Sequence, residues 1–237
     1  MKQLLVLSGK GGTGKTTLAS SFIHLSKVNQ FADCDVEAPN LHMVYKNGKH
    51  KAKPYHGLAK AYINPDLCIA CGKCNEYCRF NAIDYEDGYS VNPYKCEGCK
   101  VCGYVCPADA IEYKQNVDGQ IDLYEDDYTF STGRLKMGSG NSGLLVTEVK
   151  RQLNKDEDLT IIDGPPGIGC PVIVSMSGVD FILVVTEPSM SGYSDLKRIV
   201  QTIKRARIKC GVCINKFDIN KDITKQIKSY AKDENIP

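Results

Sequence analysis

Gln3-Leu4-Leu5-Val6-Leu7-Ser8-Gly9-Lys10-Gly11-Gly12-Thr13-Gly14-Lys15-Thr16 begins as a short apolar run and passes directly into a glycine-rich segment. Apolar residues Leu18, Ala19, Phe22, Ile23 and Leu25 then follow at helical spacing. The order strand, glycine loop, helix is the context that the pattern G-x-x-x-x-G-K-[ST] requires, and every fixed position of the pattern is filled. The glycines let backbone amides turn toward a phosphate, and the helix N-terminus adds its dipole. In such a loop Lys15 reaches the terminal phosphates and the Thr16 hydroxyl ligates Mg²⁺.

Lys10 adds a further feature. Lys10-Gly11-Gly12-Thr13-Gly14-Lys15-Thr16 resembles the deviant Walker A loop of the MinD/ParA/Mrp group of P-loop ATPases. The resemblance implies that Gly11, Gly12, Thr13, Gly14, Lys15, Thr16 and Thr17 surround the phosphates. It also implies that Lys10 reaches across a homodimer to the partner's nucleotide, as an arginine finger does elsewhere. Asp33-Cys34-Asp35-Val36-Glu37-Ala38-Pro39-Asn40-Leu41 resembles the family's switch I, which gives Asp35 the role of activating the attacking water. Leu159-Thr160-Ile161-Ile162-Asp163 reads as a buried strand ending in a carboxylate, and Gly164-Pro165-Pro166-Gly167 follows it. This segment resembles Walker B and switch II, with Asp163 holding the magnesium shell.

Phe181-Ile182-Leu183-Val184-Val185 is another parallel-type strand, and Leu196, Ile199, Val200 and Ile203 mark the helix after it. Asn215 then falls where this ATPase family places an adenine contact. Asn215-Lys216-Phe217-Asp218 also spells N-K-x-D, the guanine-reading motif of GTPases. The deviant loop favours ATP, but GTP stays open.

The chain has 237 residues, 12 of them cysteine, and eight of those lie between Cys68 and Cys106. With 42% hydrophobic and 24% charged residues a core can form, which excludes general disorder. A net charge of +2 predicts no long-range nucleic-acid field. No apolar run approaches the ~18 residues of a membrane span. Leu4 to Leu7 is too short for a signal-peptide core, so the expected location is the cytoplasm, with reduced thiols.

Cys68, Cys71, Cys74 and Cys78 form C-x₂-C-x₂-C-x₃-C, and Cys96, Cys99, Cys102 and Cys106 repeat it 28 residues later. Asn81-Ala82-Ile83 likewise answers Asp109-Ala110-Ile111. Zinc is the main rival as a thiolate-bound metal, but zinc sites use pairs, whereas two runs of four suit iron–sulfur cubes. The duplication resembles the bacterial two-cluster ferredoxin, in which the fourth cysteine of each run completes the other cluster. That implies one [4Fe–4S] cluster on Cys68, Cys71, Cys74 and Cys106, and a second on Cys96, Cys99, Cys102 and Cys78. Arg79 departs from the pattern by replacing the usual proline, and its charge could raise one cluster's potential. Cys170, in the switch II segment, is a candidate at a dimer or partner interface. Cys34, Cys210 and Cys213 read as packing residues.

The expected architecture is α/β, a doubly wound and mostly parallel sheet interrupted by a small α+β ferredoxin-like insertion. The ATPase domain takes residues 1–60 and 114–237, the insertion 61–113. Thr132-Gly133-Arg134 and Gly138 to Gly143 read as loops before a helix. The family would continue beyond Ile236-Pro237, so the C-terminal end is expected to be incomplete. Two functions are consistent with this layout. One is a dimeric ATPase coupling nucleotide state to electron or cluster delivery to a client metalloprotein. The other is a MinD/ParA-like partitioning ATPase in which the clusters are structural.

Overall fold

The computed structural model describes residues 2–45, 48–154 and 156–237. β1 (Lys2–Ser8), α1 (Lys15–Ser26) and β2 (Gln30–Asp33) come first, followed by a 3-10 turn at Leu41–Met43 and β3 (Lys49–Tyr55). A short-element region follows: β4 (Lys60–Ile63), α2 (Lys73–Glu76), β5 (Ile83–Tyr85), β6 (Tyr89–Val91), α3 (Val101–Val105) and β7 (Ile111–Lys114). The remainder runs β8 (Gly119–Glu125), β9 (Thr129–Leu135), α4 (Ser142–Arg151), β10 (Leu159–Pro166) and α5 (Cys170–Ser175). It closes with β11 (Phe181–Thr186), α6 (Met190–Arg205), β12 (Lys209–Ile214) and α7 (Lys221–Asp233).

Two compact units result. The first takes residues 1–53, 121–134 and 142–237; the second takes 54–120 and 135–141. Among the described residues the large sheet has eight strands in the order β12-β11-β1-β10-β2-β9-β8-β3. The pairings β11–β12, β1–β11, β1–β10, β2–β10 and β2–β9 are all parallel. β1, β2 and β10 are near-continuously buried, as expected of parallel strands covered on both faces. Ile23 of α1 packs with Phe31, Leu41, Phe130 and Ile161 on one face, and Val6, Ala19 and Val185 form a second cluster. In α6, Leu196, Ile199, Val200 and Ile203 are the buried stripe that the sequence period marks.

Thr132-Gly133-Arg134 is a strand, not a loop. These residues lie in β9, where Thr132 pairs with Asp33 of β2. Gly133 misleads because it is there for packing: a Cβ at that position would lie 2.8 Å from Val149 and 3.0 Å from Leu145. A glycine therefore lets α4 sit close on the strand. β10 also runs three residues beyond Asp163, because Pro166 still pairs with Ser8.

The second unit repeats itself at the backbone level. Ala70 and Gly98 have φ of 55° and 67°, Gly72 and Lys100 have 78° and 65°, and Asn81 and Asp109 have 47° and 49°. Each pair is 28 residues apart, the cysteine period. The carbonyls of Asn64 and Asn92 accept from the Cys68 and Cys96 amides, both at 3.1 Å. β4–β7 and β5–β6 close the unit as two antiparallel ribbons.

Candidate functional site

The parallel register places Val6, Asp163 and Asp33 side by side at the carboxyl ends of the central strands. Ligands of open α/β sheets bind in that crevice. The glycine loop leaves β1 there, with Gly12 at φ 78° and Gly14 at φ 90°, so α1 starts directly behind a left-handed residue. Lys15 is buried, and its Nζ donates to Asp163 Oδ1 at 2.8 Å and stands 3.8 Å from Asp35 Oδ2. Thr16 is half-buried, whereas Gly11, Gly12 and Thr17 are exposed and Thr13 is buried. Among the described residues the opposite oxygen, Asp163 Oδ2, is fully buried without a hydrogen-bond partner, as is Thr13 Oγ1. An orphaned carboxylate oxygen beside a lysine fits a magnesium shell, since a buried charge needs a counterpart.

Asp33 is the residue that sequence reasoning passed over. It has 0% exposure, and its Oδ2 accepts from the Asn40 and Leu41 amides at 2.8 and 3.0 Å. Its Oδ1 accepts from the Asp35 amide at 3.0 Å, so Asp33 shapes the turn that presents Asp35. The signal was available: an aspartate closing a buried strand ahead of a proline-containing turn accepts orphan amides. Burial, then the Asp163 carboxylate, pushes the Asp33 carboxyl up to about 7. Burial also raises Asp35, against the pull of Lys15.

A carboxyl raised on folding keeps a proton that the unfolded chain has released, so stability falls as pH rises from the ordinary aspartate value of 3.8 toward about 7. Nucleotide-free protein is therefore expected to resist urea better near pH 5.5 than near pH 7.5. Asp33→Asn should narrow that gap, and an unchanged gap would show that Asp33 does not carry it.

Lys10 points to its own subunit's β11 edge. Its Nζ lies 2.6 Å from Glu187 Oε1 and donates to Ser191 Oγ at 3.0 Å and Ser189 Oγ at 3.4 Å. These contacts, Lys10 foremost, hold the Glu187 carboxyl below its ordinary value. Lys216 Nζ shares Glu187 at 3.4 Å. Asn215 donates from Nδ2 to the Thr13 carbonyl at 2.9 Å, tying the end of β12 to the glycine loop. A side chain at Gly14 would collide with that amide. Asp218 is exposed on the turn that follows β12.

The eight clustered cysteines surround two recesses. Cys68, Cys71, Cys74 and Cys106 line one, with Ile63 and Tyr89. Cys78, Cys96, Cys99 and Cys102 line the other. Cys78 Sγ and Cys106 Sγ each accept a backbone amide at 3.4 Å, from Ala82 and Ala110. Among the described residues no three His, Cys, Asp or Glu side chains converge on a single-ion point. Tetrahedral zinc needs thiolates about 2.3 Å from one centre. Openings ringed by four separated thiols suit a cube bonded at its corners.

Cys34 is fully buried, and burial pushes its thiol up to about 12. Cys210 and Cys213 are half-buried on β12, and Cys170 is exposed at the start of α5.

A model of the 4Fe-4S dicluster domain matches residues 61–113. Uncharacterized protein MJ0578 of Methanocaldococcus jannaschii is 37% identical over 226 residues, covering 92% of this chain and 79% of that protein. Uncharacterized protein MJ0579 of the same organism is 30% identical over 233 residues, covering 93% and 82%. The chain belongs to the family of these two proteins. The septum site-determining protein MinD of Pyrococcus horikoshii, solved with Mg-ADP, superposes with a TM-score of 0.51 at 16% identity, covering 95% of this chain and 76% of that one. The fold is thus that of a MinD-like P-loop ATPase carrying an inserted 4Fe-4S dicluster domain. Among the described residues no helix is long and apolar enough to cross a membrane.

Proposed function

We propose that this family member is a Mg-dependent ATPase whose nucleotide state is coupled to electron or iron–sulfur cluster delivery to a client metalloprotein. The carrying observation is that one chain holds both a Lys15–Asp163–Asp35 nest and a module with two four-cysteine recesses. The module is spliced in after β3, and the chain re-enters the sheet on β8, the strand beside it. β3 itself follows the Asp33–Tyr45 switch segment, so covalent linkage supports coupling.

In this reading Lys15 exchanges Asp163 for the terminal phosphates, Thr16 and Asp163 hold Mg²⁺, and Asp35 orients the attacking water. Lys10 must leave Glu187 before it can serve a partner subunit, so closure as a homodimer competes with an intrachain ion pair. Asn215 contacts the base, with Lys216 flanking it. The bound clusters supply one-electron chemistry, while the chain holds them through the cysteine quartets and partly covers them with apolar side chains. The setting is cytoplasmic.

The test is anaerobic purification with iron counting and electron paramagnetic resonance, with and without ATP or GTP. About eight irons per chain are expected for two [4Fe–4S] clusters. An ATP-dependent change in the cluster signal, accompanied by phosphate release, is also expected. A signal indifferent to either nucleotide, with no turnover, would defeat the coupling.

A further inference from the structure

The two recesses differ in charge. The one ringed by Cys68, Cys71, Cys74 and Cys106 is otherwise lined by apolar residues, glycine and Tyr89, with no charged side chain. The one ringed by Cys78, Cys96, Cys99 and Cys102 is lined also by Glu97 and Lys100, and a buried lysine is hydrogen-bonded to the backbone of one of its cysteines. Lys60, on β4, is 5% exposed. Among the described residues its Nζ finds one acceptor, the carbonyl oxygen of Cys96 at 2.5 Å, and no carboxylate. The repeat makes the asymmetry plain: 28 residues on from Lys60 stands Gly88, exposed and without a side chain.

A buried ammonium without a carboxylate is unfavourable unless negative charge lies nearby. Four thiolates around a reduced cluster are such a charge, and in a low-dielectric interior the attraction is strong. We propose that Lys60 is a positioning and tuning residue for the second recess, raising the potential of the cluster held there so that it is reduced before the other. Two charged side chains belong to the lining itself but are better screened by solvent than Lys60. Lys100 is exposed and lies over the Tyr113 ring at 5.3 Å. Glu97 opposes Lys60 in sign, but it is only half-buried and therefore better screened. Arg79, the departure visible in the sequence, is exposed as well. The buried cation dominates.

The inference rests on the two-cluster reading above, and its test separates the two. In a dithionite titration followed by electron paramagnetic resonance, the wild-type protein is expected to show two one-electron steps. Lys60→Met should lower the higher step alone, by at least a tenfold fall in the reduced-to-oxidised ratio at fixed potential, or about 59 mV. Lys60→Arg should restore it. Unchanged potentials at full iron content, or an equal shift of both, would overturn the proposal.

If Lys60→Met fails to take up iron, single-cluster variants decide. Cys99→Ala should keep only the low-potential cluster and Cys71→Ala only the high-potential one. The reverse assignment, or coincident potentials, would overturn the proposal. Wild-type protein holding only one cluster would instead sink the two-cluster reading.

Discussion

Lys15→Met is expected to cut nucleotide turnover by at least ~1000-fold, since losing one charged stabiliser of a transferring phosphoryl group costs on that order. Lys15 has the least exposed ammonium of the proposed nucleotide site, and Asp163, Asp33 and Asp35 depend on it for compensation. Removing one member of a buried ion pair leaves the other uncompensated, which typically destabilises by about 3–5 kcal/mol. The loss should itself depend on pH. Lys15 lowers the Asp33 and Asp35 carboxyls, so without it both rise further and hold protons to higher pH. The variant's deficit should therefore be greater near pH 8, where the carboxyls ionise, than near pH 6. Phosphate release, fluorescent-nucleotide binding and urea unfolding at the two pH values measure all three effects. Iron content serves as the control, because Lys15 lies outside the cysteine-bearing unit. A variant that still turns over ATP at a tenth of the wild-type rate would mean the terminal phosphates are held elsewhere.

The parts of this protein that were legible in the sequence are those whose chemistry is local. A glycine loop between a strand and a helix, and cysteines at fixed short spacing, are each written within a dozen residues. Helix α6 was legible for the same reason, since its buried stripe repeats every turn. Residues that matter through partners far away in sequence were not legible. Asp33 looked like a neighbour of Asp35, yet its three amide contacts depend on a turn closing back over eight residues. Glu187 read as the end of a strand, and only the fold brings Lys10 and Lys216 to it. β9 was hidden because Gly133 suits a loop as well as a crowded strand.

Lys60 shows the limit most clearly. β4 is only four residues long, and three of them are buried, so no alternation marks which face is inside. Its acceptor lies 36 residues away. Sequence reasoning assigned the charge effect to Arg79 because that residue breaks a local pattern. The effect of a charge, however, depends on burial, which the local pattern does not report.

Cys106→Ala is expected to remove the cluster of the first cysteine run, not of its own. Cys106 closes the recess of Cys68, Cys71 and Cys74, while Cys78 closes that of Cys96, Cys99 and Cys102. The amides of Ala82 and Ala110 reach the sulfurs of Cys78 and Cys106, so each fourth cysteine is held by the turn that follows its own run while facing the other run's recess. Pairs of substitutions make the crossing decisive. Cys106→Ala combined with Cys71→Ala strikes one recess twice, so about four irons should remain, as in either single variant. Cys106→Ala combined with Cys99→Ala strikes both recesses, so almost no iron should remain. If each run instead held its own cluster, the outcomes would exchange: the first pair would be nearly empty and the second would keep about four. Iron analysis and cluster spectra of the two double variants, against the singles, distinguish these cases by the full content of one cluster.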